Sequence, residues 1–210
     1  MAFFDRTDNS SNFVISFSTQ PREDFGIFAR GYFYAASELA GYLLGKGRFS
    51  DYEAYPVMFL YRHAFELHLK NIIYRSALLS AFRNLHNIDT KLYKTHRLDT
   101  LSKIATEILC KLFSNDQDID RVSRQVKEIS SEFSKYDPES YSYRYPIDND
   151  GNYSTKPHQV ASLKAVHQTM NELLEDLETL DFGLSVETSQ ARELYEILSA
   201  WVSSTEDFSP

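Results

Sequence analysis

The stretch YPVMFLYRHAFELHLKNII, residues 55–73, sets Arg62, His63, Glu66, His68 and Lys70 within a run that is otherwise apolar and long enough for a helix. These are the residue types of metal-free phosphodiester chemistry, in which an imidazole moves a proton and an arginine steadies the charge that grows on phosphorus. Residues four apart share a helix face, so Arg62, Glu66 and Lys70 form a plus, minus, plus ladder flanked by Phe59, Leu69 and Ile73. An unpaired buried charge costs several kcal/mol, and alternating signs are what such a setting permits. A structural ion network therefore outweighs a catalytic reading for the ladder. Arg62 and His68, the only arginine and histidine at a short nuclease-like spacing, point about 120° apart around the axis. For His68 a histidine satisfied within the core is the simpler account.

Three further groups could join such a site. His96 follows Thr95, a candidate helix cap, and either contacts a phosphate or base or makes a hydrogen bond at the helix start. Arg144 lies between Tyr143 and Tyr145, where it could hold a phosphate while a ring stacks on a base, or else tie its loop to Glu66. Asp137, Asp148 and Asp150 share that loop; Mg²⁺ needs only one or two carboxylates, but aspartates in turn-rich loops are usually turn formers. The candidate catalytic groups are thus Arg62, His63, His68 and His96, and the candidate substrate contacts Glu66, Lys70, Arg144, Tyr145 and Asp148. No metal and no cofactor is expected. HxxxH and CxxC spacings are absent, GYLLGKGRFS lacks the hydroxyl residue after Lys46 that a phosphate loop needs, and GLSVE lacks the second glycine of a nucleophile elbow.

The elements that must position these groups read as helical. Apolar residues recur at three and four from Phe25 to Gly45, giving a first helix, and residues 55–73 form a second, apolar on most sides and so central. Residues 76–94 extend that helix or form a short helix and loop. A third helix starts at a Thr95 cap, and NDQDID caps a fourth with Val122, Val126, Ile129 and Phe133 on one stripe. The Asp150-Gly151 pair predicts a small β-hairpin in the tyrosine-rich loop. A fifth helix from about Gln159 is expected to break at Gly183, with a sixth over about residues 189–202. The fold class is all-α: an up-and-down bundle of about six helices, with an extended arm over residues 1–24, the bundle over 25–183, and a terminal helix and tail over 184–210.

Composition bounds the function. The chain has 210 residues, 42% hydrophobic and 25% charged, ordinary for a globular domain, with an unusually high 14% aromatic content. A net charge of −8 argues against wrapping duplex DNA, though it allows one local strand contact. Cys110, the single cysteine, sits in the apolar run ATEILCKLF and is expected to be a buried small hydrophobe. With no secretory leader and no run long enough to span a bilayer, a cytoplasmic protein away from membranes is expected.

HAFELHLK (His63 to Lys70), THRLDTL (Thr95 to Leu101) and YRYPID (Tyr143 to Asp148), in that order over most of the chain, resemble HEPN-domain proteins. The resemblance implies a helical bundle that pairs as a homodimer, in a family of toxin ribonucleases, nucleotide-binding partners of nucleotidyltransferases and phage-defence components. Active members carry an arginine and a histidine four to six residues apart near the start of a late helix. This chain departs from that: no histidine lies near Arg144, and His158 is far too distant. Two readings follow. One is an RNA- or nucleotide-binding protein whose cleavage of RNA, if it is catalytic, is metal-independent; the other is a non-catalytic module with a protein partner.

Overall fold

The computed structural model describes residues 24–82, 95–140, 142–148, 150–155 and 160–206, the side chains beyond residue 197 excepted. Five helices make up this part: α1 (Phe25–Gly45), α2 (Asp51–Phe82), α3 (Leu98–Leu112), α4 (Gln117–Tyr136) and α5 (Leu163–Glu206). The protein is an all-α helical bundle. The proposed N-terminal arm lies outside the described residues, apart from Asp24.

α2 is the axial element, buried on almost every side from Tyr61 to Ile73, which is why its sequence shows no apolar stripe. Ser76 to Phe82 continue it. α1 lies antiparallel to α5, with Arg30 on Glu178 (3.2 Å) and Asn171 on Ser37 (3.1 Å). α5 runs in the same direction as α2: Tyr61 meets Asn171 at 2.7 Å, Arg75 meets Asp181 at 3.0 Å, and the Phe82 and Tyr195 rings stand 5.7 Å apart. The helices therefore do not simply alternate up and down. Where α1 crosses both partners, a Cβ on Gly26 would come within 2.7 Å of the Asn71 and Asp181 side-chain tips, so a larger residue would have to displace that pair. α3 packs against α2, and α4 packs against α3 and touches α5.

Several expectations are corrected. The fifth and sixth helices are one, because α5 passes through Gly183 without a break. A helical glycine costs about 1 kcal/mol relative to alanine; the buried Leu177 and Leu184 on either side of it offset that cost. α5 also begins at Leu163 rather than Gln159, where the Ser162 hydroxyl accepts the Ala165 N–H at 3.3 Å. The hairpin reduces, among the described residues, to a single antiparallel bridge between Ile147 and Tyr153. Its turn is held by the Asp148 carboxylate, which accepts N–H groups from Asp150 (2.9 Å) and Asn152 (2.8 Å), and by Gly151 at φ 82°; Pro146 has no N–H to extend a ladder. Thr95 is not the α3 cap: Arg97 holds that position, and Thr95 accepts the Arg97 N–H at 3.3 Å. Cys110 is exposed, since Ala105, Thr106 and Leu109 take the inward face of α3. The α4 cap is as expected: the Asp116 carboxylate accepts the N–H groups of Asp118 (3.0 Å) and Ile119 (3.2 Å). Among the described residues no helix is long and apolar enough to cross a membrane.

Candidate functional site around His96

The ladder forms, and it is sealed. Arg62, Glu66 and Lys70 are all buried, with Arg62 only 1% exposed. The Glu66 carboxylate receives Lys70 Nζ on Oε1 at 2.8 Å and Arg62 Nη1 on Oε2 at 3.2 Å. Arg62 has a second carboxylate, Asp137, just beyond the end of α4, with Nε 2.8 Å from Oδ2 in an ion contact poorly aligned as a hydrogen bond. Its remaining N–H groups donate to Ser140 Oγ (2.6 Å), the His96 carbonyl (3.1 Å) and the Asp137 carbonyl (3.4 Å). Two cations and two carboxylates are thus neutralised inside the bundle, and Arg62 pins both the approach to α3 and the loop after α4 onto α2.

One imidazole emerges from this network. His96 Nδ1 lies 2.8 Å from Glu66 Oε1, the oxygen that also takes Lys70, while the His96 side chain is 60% exposed. Burial pushes the Glu66 carboxyl up, but the bond and charge of Lys70 and the contact with His96 outweigh it, and Glu66 sits below its ordinary value. It is ionised and can only accept, so Nδ1 must be the donor. A neutral His96 therefore carries its lone pair on Nε2, on the ring edge away from Glu66. That is how a carboxylate prepares an imidazole to act as a base.

The other candidates divide. His63 stacks on Phe59 (centroids 5.6 Å apart, 9° between planes) and meets Tyr32 edge-on at 4.5 Å. Burial lowers its pKa; Glu66 partly offsets this, while Lys70, Arg144 and Arg62 add to it. Arg144 is exposed beside the same Phe59, its guanidinium carbon 5.9 Å from that ring and 5.8 Å from the Tyr145 ring, and its Nε donates to the Ser140 carbonyl at 2.7 Å. His63, Arg144 and Tyr145 therefore gather around Phe59, and His96 joins the buried network through Glu66. Arg62 ties this loop to the bundle through Ser140 and Asp137. His68 does not join them. It is 1% exposed, both ring nitrogens lack hydrogen-bond partners, and the charge it senses is Arg30 of α1. Asp148 closes its own turn, and the backbone N–H of Asn152 leads the groups that lower its pKa.

Sequence reasoning left Asp137 among the turn formers and did not single out Ser140. Their partner lies more than 70 residues away, as the 75-residue separation of Arg62 and Asp137 shows, so no local spacing marks them. A second polar cluster also went unseen, in which the Tyr61 hydroxyl meets His167 Nδ1 and Asn171 Oδ1, each at 2.7 Å. Comparison of the chain with protein-family models, curated proteins and solved structures gives no match.

Proposed function

We propose that this is a HEPN-like protein that binds RNA or a nucleotide at the His96 edge and cleaves RNA there without metal. The observation that supports the reading is the Glu66-held imidazole, fixed at Nδ1 at 2.8 Å and open to solvent on its other side. In this reading His96 Nε2 takes the proton of a ribose 2′-hydroxyl, whose oxygen attacks the adjacent phosphorus as the P–O5′ bond breaks, leaving a 2′,3′-cyclic phosphate and a 5′-oxygen that takes its proton from water. Arg144 steadies the charge on the phosphoryl oxygens, and Tyr145 offers a face for a base. Arg62, Glu66 and Lys70 serve as positioning residues, because they reach no ligand directly. A cytoplasmic homodimer acting as a toxin or defence component belongs to the same proposal and rests on the motif resemblance.

A second reading, a non-catalytic module for a protein partner, is favoured by the sealing of the ladder: Arg62, Glu66 and Lys70 already satisfy one another. Cleavage of end-labelled RNA in chelator distinguishes the two. The wild type should cut, and His96→Ala and Arg144→Ala should each lose a hundredfold or more. Equal background cleavage by all three proteins, with no absorbance at 260 nm co-purifying, would leave the second reading.

A further inference from the structure

Between α3 and α4 runs an open cleft of about 380 Å³, whose walls are Asp99, Ser102, Lys103, Thr106 and Glu107 on one side and Lys127, Ser130, Ser131 and Ser134 on the other. It starts at Asp99, three residues beyond His96, and reaches Glu107, roughly 12 Å along α3 at 1.5 Å per residue. Its character differs from the remainder of an acidic protein. Lys103 and Lys127 face it from opposite helices, and neither takes an ion pair among the described residues. Asp99 is occupied by Arg97 at 2.9 Å, whereas Glu107, the other carboxylate of the lining, takes no ion pair among the described residues. The Ser102 and Thr106 hydroxyls donate to carbonyls of their own helix, at 3.0 and 3.2 Å. Ser130 does not: it is 1% exposed, and its Oγ takes no partner. A buried hydroxyl without a partner costs about 1–3 kcal/mol, and a phosphate oxygen in the cleft would relieve it.

We propose that this cleft binds the ribose-phosphate backbone of a single RNA strand whose neighbouring linkage lies at His96. The inference rests on the RNA-binding reading and extends it by giving the strand a path. Two ammonium groups and hydroxyl donors suit phosphate oxygens. One carboxylate acceptor beside them suits the 2′-hydroxyl that distinguishes RNA from DNA.

The test is equilibrium binding of fluorescent uridine monophosphate, hexauridylate and hexadeoxyuridylate at several salt concentrations. The wild type should hold the RNA hexamer more tightly than the monophosphate. Lys103→Ala/Lys127→Ala should remove most of that gain and reduce the slope of log affinity against log salt by about 1.4, the share of two single-strand phosphate contacts. Lys111→Ala/Lys164→Ala, which removes the same charge from outside the cleft lining, should keep the wild-type slope. If the cleft variant binds the hexamer as the wild type does, while His96→Ala and Arg144→Ala lose it, the cleft assignment falls and the RNA reading stands. If the wild type binds neither RNA probe, both fall. A deoxy hexamer bound as tightly as the RNA would remove the role given to Glu107.

Discussion

His68 should make the fold acid-sensitive by an amount that follows from its surroundings. Burial, reinforced by the Arg30 charge, lowers its pKa from 6.5 to about 4. In the unfolded chain the ring takes a proton near its ordinary value, whereas in the native protein it stays neutral. Between those two values the unfolded state binds more protons, so stability falls as pH falls, by about 1.4 kcal/mol per pH unit. The full loss is about 3 kcal/mol, of which about 2 kcal/mol accrues between pH 6.5 and 5. With a typical domain stability of about 5–15 kcal/mol, this is a large share. The assay is urea unfolding of the wild type and His68→Leu across pH 8 to 5, taking the difference between the two curves so that groups common to both cancel. That difference should be flat above about pH 7 and shift by about 2 kcal/mol in favour of His68→Leu at pH 5. The leucine also removes two ring nitrogens that lack partners, so the variant should be no less stable at neutral pH. Parallel curves, or a His68 ring resonance titrating near its ordinary value in the native protein, would refute the argument.

Other outcomes follow from the same physics. Asp137→Ala strips one carboxylate from a buried arginine and should cost about 3–5 kcal/mol in chemical denaturation. His96→Ala removes a mostly exposed side chain and should change stability by about 1 kcal/mol or less while abolishing RNA cleavage, a separation that the two assays together would reveal. Gly26→Ala pushes a methyl group onto the Asn71–Asp181 pair; the expected overpacking cost of about 1–3 kcal/mol should outweigh the gain in helix propensity and lower the thermal midpoint. Asp116→Ala should cost about 1 kcal/mol by leaving the first N–H groups of α4 uncapped, with Asp116→Ser recovering most of it.

Much of the architecture is readable from periodicity, because α1, α3 and α4 each bury one stripe, and α2 announces itself by having none. The ladder is readable for the same local reason, since its members stand one helical turn apart. What periodicity cannot carry is competition between a local signal and tertiary burial. Gly183 looks like a stop, yet Leu177 and Leu184 hold the helix through it. Cys110 stands among Ile108, Leu109, Leu112 and Phe113, and the packing of Leu109 and Thr106 against the bundle decides which residue turns outward. Within the site, Thr95-His96 is a local cue, whereas the Glu66 bond that gives His96 its orientation spans 30 residues and the Asp137 contact spans 75. Pairings at such range leave no mark on spacing.

The position of Arg62 also constrains the route by which the chain can fold. Its guanidinium reaches no water in the native state, and its partners arrive from segments 34, 75 and 78 residues downstream. A half-assembled bundle in which α1 and α2 have packed but the later segments have not would leave that cation with Glu66 alone among its partners. Such a species is penalised, so docking of the α3 approach and the post-α4 loop should coincide with the main barrier rather than follow it. Chain closure over those separations is slow compared with helix formation, and refolding should be slower than the helix content alone would suggest.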